Sequence, residues 1–330
     1  MKVWIIDEEF NTHNLEKELI RSHFPDADII ETGYDTVSTM ERHGNEVTGI
    51  LAQIYVRIDS QTLSRMPNLR AISVYGGGFN NIDVQAATSR KIVVTRVPDY
   101  CNHEVTEYVL AWILRFAKRL DMFTEKAKAG GWGATVVSDT PIDEWTAEKI
   151  EQVPQRVSGS TLLIIGCGKI GRMLAGKASA LGMQVLTYDP YVHGATAGAT
   201  LISSLDEGLE KADFISIHAL LTKETRGMIN AESFRKMKRT AFLINCSRGE
   251  IVNEADLIEA VKNKAIRGAA LDVVADEPPD KSRDIFHTPG ISVTPHIAYL
   301  SEASLRELKT RATKNLLMTL EGERPPDAVN

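Results

Sequence analysis

Short apolar runs alternate along most of the chain with longer segments whose apolar residues recur every three or four positions. Val3–Ile6 is a run of the first kind, and Leu15, Leu19 and Ile20 follow it at helical spacing. Further strands are expected at Asp28–Ile30, Gly49–Ala52, Leu69–Val74 and Ile92–Thr95. The alternation resumes with Leu162–Ile165, Val185–Tyr188, Asp213–Ile217, Ala241–Asn245, Ala269–Val273 and Ile291–Thr294, which make a second set of six strands. Strands that alternate with helices predict parallel sheets covered on both faces, because each crossover lays its helix against the sheet.

Between the two sets, His103–Lys128 carries Val105, Tyr108, Val109, Trp112, Ile113, Phe116 and Leu120 at helical spacing and predicts one long helix. Gly130–Val157, with Trp132 and Trp145, keeps no period and reads as an irregular excursion suited to a subunit interface. Ser301–Glu321 is again helical and long enough to return to the first set of strands.

One strand junction has a definite chemistry. Leu162–Ile165 runs into Gly166-Cys167-Gly168-Lys169-Ile170-Gly171, a helical pattern follows, and the next strand ends at Asp189. This is the dinucleotide fingerprint in its strand–turn–helix–strand setting. Gly166 permits the tight turn, Gly168 lets backbone approach a pyrophosphate, and Gly171 lets helix and strand pack closely. The helix N-terminus, with Lys169 and Ile170 in its first turn, then presents N–H groups to the phosphates. An acid at 189 accepts hydrogen bonds from ribose hydroxyls and repels a 2′-phosphate, so the expected cofactor is NAD. The fold class is accordingly α/β with two doubly wound parallel-sheet domains. A Rossmann domain at 102–297 is inserted into a flavodoxin-like domain formed by 1–101 and 298–330.

Composition narrows the function. Hydrophobic residues are 43% and charged residues 25%, as in an ordinary globular protein. A net charge of −6 with interspersed signs offers no face for nucleic acid and no polybasic membrane patch. No apolar run reaches the roughly 18 residues of a spanning helix. The opening MKVWIIDEEF reads as a strand and not as a signal peptide. Cys101, Cys167 and Cys246 have neither disulfide nor metal spacing, so no metal site is expected and a cytoplasmic setting is.

Three further clusters follow strands of the second set, where ligands of open α/β sheets bind. They are Asn245-Cys246-Ser247-Arg248-Gly249, Asp272 with Glu277, and Thr294-Pro295-His296. Reduction of a 2-oxo acid by hydride needs a cation for the carboxylate, a proton donor for the developing alkoxide, and an acid that keeps the donor charged. Arg248, His296 and an acid from the middle cluster supply these parts. In the first set, Tyr75-Gly76-Gly77-Gly78-Phe79 gives a glycine turn able to form an anion-binding nest.

YGGGFNNID, VPDYCNHEV, GCGKIG with Asp189, ETRGMIN, NCSRGEIVN, GAALDV with ADEPP, and TPHIA occur here in order along nearly the whole chain. Together they resemble the D-isomer-specific 2-hydroxyacid dehydrogenases. PDYCNHEV and HIAYLSEASL resemble the branch that also contains C-terminal-binding proteins. The resemblance implies an NAD-dependent enzyme that interconverts a 2-oxo acid and its (R)-2-hydroxy acid. Arg248 would anchor the carboxylate and His296 would be the acid–base group, with Glu277 hydrogen-bonded to it. Gly166, Gly168, Lys169, Ile170, Gly171, Asp189, His218, Cys246, Ser247 and Asp272 would line the cofactor, Asp272 at the nicotinamide carboxamide. Gly77 and Gly78 would hold the carboxylate through their N–H groups, and Tyr75, Phe79 and Tyr299 would shape the side-chain pocket. It also implies a homodimer through the helix 103–128 and the 130–157 excursion. The same set of residues could serve an NAD(H)-sensing dimeric binding protein with little turnover.

Overall fold

The computed structural model describes residues 1–133, 137, 144, 146, 153–194 and 197–330, and the chain divides into two compact units. The first comprises Met1–Cys101 with Leu300–Asn330, and the second is Asn102–Tyr299.

In the first unit, β1 (Lys2–Ile6), β2 (Asp28–Thr32), β3 (Val47–Gln53), β4 (Ala71–Tyr75) and β5 (Val93–Thr95) form a parallel sheet in the order β2-β1-β3-β4-β5. Inner strands such as Val3–Ile6 and Ile50–Ala52 are buried on both faces, which is why they read as unbroken apolar runs. The helix Glu302–Glu321 completes this unit with Leu308, Ala312, Leu316 and Leu320 buried. Gly49 on β3 makes room for it, since a Cβ there would lie 3.0 Å from Leu316. Ser301 starts the helix by accepting the Ser304 N–H in a capping box.

Charged groups are buried where this sheet reverses its winding, past β1 and β3. Asp7 accepts hydrogen bonds from Gln53 Nε2 at 2.9 Å and from the Glu9 and Phe10 N–H groups, and its Oδ2 lies 2.9 Å from His13 Nε2. His13 Nδ1 is 3.0 Å from Glu31 Oε2. The hydrogen bond to Asp7 raises the His13 pKa above its ordinary value, against the pull of burial. Burial pushes Asp7 upward, but its bonds to His13 and to backbone N–H groups bring it below its ordinary value. A raised histidine contributes its stability fully below the unfolded pKa of about 6.5 and loses it as pH rises through the folded value. Asp7 acts in the opposite sense, losing its contribution only as pH falls through its lowered pKa. The melting temperature should therefore decline as pH rises above about 6.5, and His13→Gln should flatten that decline. An equally steep decline in the variant would assign it to other groups.

The second unit is a seven-stranded parallel sheet: β6 (Thr161–Ile165), β7 (Gln184–Tyr188), β8 (Thr200–Ile202), β9 (Phe214–Ile217), β10 (Phe242–Asn245), β11 (Gly268–Leu271) and β12 (Ile291–Val293). Its order is β12-β11-β10-β9-β6-β7-β8, so winding reverses between β6 and β9. The six expected strands are present, and β8 is an addition. It is a three-residue edge strand on β7, too short to show a pattern.

The expected single helix His103–Lys128 is two helices, Asn102–Lys118 and Leu120–Lys128. Arg119 between them has φ +53°, and the Gln155 N–H takes the Ala117 carbonyl at 2.7 Å, an acceptor that a continuous helix would use. Apolar spacing runs straight through this break, so periodicity does not reveal it. The first helix stacks Phe116 on Phe242 of β10 at 4.1 Å between ring centroids. Most of the 130–157 excursion, including Trp145, lies outside the described residues; Trp132 is exposed. Among the described residues no helix is long and apolar enough to cross a membrane, and no group of three or more His, Cys, Asp or Glu could hold a metal.

Candidate active site

All seven strands of the second unit are parallel, so the loops after them share one edge. After β6 the backbone turns at Gly166 with φ +99°, where a Cβ would lie 2.6 Å from the His218 carbonyl carbon. A Cβ at Gly171 would lie 2.2 Å from the Gly166 oxygen. Any side chain at either position would separate the turn from its neighbours. Nothing lies within 4 Å of a Cβ built on Gly168, which starts the helix Lys169–Ala180 without a side-chain cap. Lys169 is exposed and Ile170 half-buried in the first turn. The open glycine and uncapped helix start suit a pyrophosphate. Past β7, Asp189 accepts the Cys167 N–H on Oδ2 at 2.8 Å and the Tyr191 N–H on Oδ1 at 3.0 Å. These bonds fix the carboxylate beside the glycine turn and leave lone pairs for a ribose diol.

Past β9, the backbone at His218 and Ala219 lies against the glycine turn. The His218 ring turns inward to Ser216 Oγ at 2.8 Å, and burial pushes its pKa down to about 4, so the imidazole is neutral. Past β10, the Ser247 hydroxyl donates to the Ala219 carbonyl, linking neighbouring loops. Burial, with the Asp272 charge, pushes the Cys246 thiol well up and keeps it protonated. Arg248 Nη1 donates to the Ser247 carbonyl at 2.7 Å, and among the described residues no carboxylate pairs with its guanidinium. The next residue is glycine because a Cβ at 249 would lie 2.0 Å from the Val274 carbonyl carbon. This close approach brings the Arg248 turn against the loop after β11.

That loop holds both acids. Glu277 Oε1 accepts the Val274 N–H at 3.0 Å, and Oε2 lies 2.7 Å from His296 Nδ1, with both side chains 19% exposed. A carboxylate oxygen accepts, so Nδ1 carries the hydrogen and Nε2 is the atom that can exchange a proton. His296 has φ +52°, a left-handed conformation that costs a non-glycine residue about 1 kcal/mol or more. Asp272, buried just past β11, supplies the restraint. Its carboxylate accepts from Thr294 Oγ1 at 2.7 Å, from the Ile297 N–H at 2.9 Å and from the Ala298 N–H at 2.7 Å. Its own carbonyl accepts the His296 N–H at 2.9 Å. Oδ2 retains room for one further donor.

Thr294 spends its only hydroxyl hydrogen on Asp272, so the Tyr108 hydroxyl must donate to Thr294. Burial pushes Tyr108 up to about 12, which keeps it a donor. The helix Asn102–Lys118 is thereby tied through Thr294 and Asp272 to the turn that carries His296. Tyr108→Phe should lower kcat by several-fold, up to about 10-fold for one hydrogen bond, with little change in melting temperature. An unaltered kcat would show that the turn holds without this link.

In the first unit, Tyr75 ends β4 and is buried, with its hydroxyl on Glu16 Oε1 at 3.0 Å. Lys309 lies 3.2 Å from the same oxygen. The ring expected to line a pocket is thus buried, edge-on to Phe10 at 5.4 Å. Gly77, Gly78 and Phe79 are half-buried, and the Gly77 and Gly78 N–H groups have no acceptor among the described residues. Tyr299 belongs to the second unit, its ring edge-on to His296 at 6.4 Å. Arg248, Glu277, His296 and Asp272 therefore lie on loops of three neighbouring strands, with Cys246 and Ser247 beside Arg248, and the glycine turn, Asp189 and His218 lie on the loops of β6, β7 and β9. Tyr108 and Glu16 were not picked out as site residues by sequence. Tyr108 sits in an apolar helical stripe, which reads as core packing, and Glu16 meets Tyr75 only in the fold.

Two parallel α/β sheets, one bearing a glycine turn, an uncapped helix start and a strand-end acid, fit a dinucleotide-binding protein. Residues 110–298 match the family model for the D-isomer specific 2-hydroxyacid dehydrogenase, NAD binding domain. A glyoxylate reductase of Thermofilum pendens is 34% identical over 294 residues, 88% of this chain and 83% of the relative. A D-3-phosphoglycerate dehydrogenase of Mycobacterium leprae is 32% identical over 287 residues, 86% of this chain but only 51% of the relative, so the chain spans about half that length. Among solved structures, D-lactate dehydrogenase from Aquifex aeolicus, complexed with NAD and lactic acid, superposes with a TM-score of 0.82 at 28% identity, covering 97% of this chain and 96% of that one. The chain belongs to the D-isomer-specific 2-hydroxyacid dehydrogenase family of NAD-dependent oxidoreductases.

Proposed function

We propose that the chain reduces a small 2-oxo acid to the (R)-2-hydroxy acid with NADH and catalyses the reverse oxidation with NAD. The observation that carries this reading is the Glu277–His296 pair, 2.7 Å apart on the edge that also holds the dinucleotide cradle. NAD, when bound, supplies or accepts the hydride at the carbonyl carbon. Arg248 binds the carboxylate and polarises the carbonyl. His296 delivers its Nε2 proton to the oxygen as negative charge develops there, while Glu277 holds Nδ1 and so aims Nε2. Asp272 holds the His296 turn and offers its remaining lone pair to the carboxamide. In the first unit Gly77 and Gly78, beside Phe79, offer N–H groups to a carboxylate, and in the second unit Tyr299 borders His296. The three free cysteines suit a reducing, cytoplasmic setting.

The chain is further proposed to form a homodimer through Asn102–Lys118, Leu120–Lys128 and the excursion after them, where Leu114, Leu120 and Trp132 are exposed. A dimer of this kind that senses NAD(H), as the resemblance to C-terminal-binding proteins allows, is the second reading. Both readings require Asp189 to bind the adenosine ribose. Asp189→Ala should raise KM for NADH and narrow its advantage over NADPH by about 10-fold or more, the scale of lost charge-assisted hydrogen bonds. An unchanged coenzyme preference would remove Asp189 from the cofactor site.

A further inference from the structure

Arg96 lies directly past β5, next to the glycine turn that follows β4. Its Nη1 donates to the Gly77 carbonyl at 3.0 Å, and its guanidinium carbon lies 5.6 Å from the centre of the Phe79 ring. The backbone on either side is pinned. The Arg96 N–H donates to the Asp327 carbonyl at 3.3 Å, its carbonyl accepts Asn315 Nδ2 at 3.2 Å, and the Val97 N–H donates to the Gly76 carbonyl at 2.8 Å. Among the described residues, no carboxylate lies within ion-pairing distance of this half-buried cation.

The Gly77 carbonyl and the Gly78 N–H belong to one peptide unit. In a trans peptide they point in opposite directions. A cation held on the oxygen therefore sets the plane of that peptide, with the Gly78 N–H directed away from the guanidinium. The charge also draws electron density toward the oxygen and strengthens the N–H as a donor. Glycines on both sides leave the peptide otherwise free to rotate. Phe79 covers the guanidinium from the side, which limits competing water.

We propose that Arg96 is a positioning residue of substrate binding: it orients and polarises the Gly77–Gly78 peptide as the carboxylate-binding donor of the first unit. It acts through the peptide and not by touching the acid. The inference rests on the proposed 2-oxo acid reductase reading. A group that acts on the carboxylate in ground and transition states alike changes KM more than kcat.

The test compares wild type with Arg96→Gln and Arg96→Lys in three measurements. These are steady-state reduction of glyoxylate, pyruvate and oxaloacetate, calorimetric binding of oxamate to the NADH-loaded protein, and the melting temperature. Arg96→Gln should raise KM for every acid, and Kd for oxamate, by about 10-fold, the scale of one charge-assisted bond. Loss of kcat should be much smaller, and KM for NADH should be kept. Arg96→Lys should recover most of the affinity by restoring the charge. Unchanged KM and Kd in Arg96→Gln, with an active wild type, would overturn the proposal and leave the reductase reading standing. A loss confined to oxaloacetate would also overturn it, since Arg96 would then contact a second acidic group directly. A parallel fall in kcat, NADH binding and melting temperature would overturn it in favour of a purely structural brace. A wild type that neither reduces these acids nor binds oxamate would fail the reductase reading itself, and the Arg96 role with it.

Discussion

His296→Ala should lower kcat for 2-oxo acid reduction by about 10²–10⁴-fold, the usual contribution of a positioned general acid. The ring is fixed at both ends. Nδ1 is held by Glu277 Oε2 at 2.7 Å, and the backbone is held in a left-handed turn by Asp272. Such strain persists only where the surroundings enforce it, and here the result is an imidazole aimed by two acids of the loop after β11. NADH affinity should survive the substitution, because the cradle at Gly166–Gly171 and Asp189 lies on other strands. Glu277→Gln should give a smaller loss, since a neutral amide holds Nδ1 less strongly than a carboxylate does. Near-normal turnover in His296→Ala would remove the residue from acid–base chemistry.

The second large effect is expected at Arg248. Arg248→Ala should lower kcat/KM for the oxo acid by about 10³-fold, combining a lost carboxylate anchor with a lost donor to the developing oxyanion. In the structure this guanidinium bonds only to the Ser247 carbonyl among the described groups, which leaves its other N–H donors for a carboxylate. Arg248→Lys should restore little, because a single ammonium cannot reproduce the paired N–H geometry. Gly249 holds the turn within reach of the Val274 backbone, so the variants should keep their fold. A change in NADH affinity alone would reassign Arg248 to the cofactor.

Most of the fold was legible because the inner strands are buried on both faces and bounded by glycine, proline or charge. Gly166–Gly171 with Asp189 was legible for a different reason: the turn demands residues without side chains at fixed spacing. Two features were hidden because local pattern does not encode them. The break at Arg119 is accompanied by a hydrogen bond from Gln155, far along the chain, and β8 is an edge strand with two apolar residues. Side-chain direction was equally hidden. Tyr75 before three glycines reads as a pocket residue, but Glu16 and Lys309, distant in sequence, draw its hydroxyl inward. The Tyr108–Thr294–Asp272 chain links a helix to a loop nearly two hundred residues away, and spacing cannot reveal such a contact. Arg248, Glu277 and His296 stood out as candidates because each follows a strand, where an open parallel sheet presents its loops.

In the proposed reaction a hydride passes between NADH and a 2-oxo acid, with His296 as the proton donor. Its most direct test is NADH oxidation by the purified protein against glyoxylate, pyruvate, hydroxypyruvate and branched and aromatic 2-oxo acids, with His296→Ala alongside. Brisk turnover is expected on at least one class of acid, lost by about 10²-fold or more in the variant. Tight NADH binding with no appreciable turnover on any acid would contradict it and favour the NAD(H)-sensing dimer.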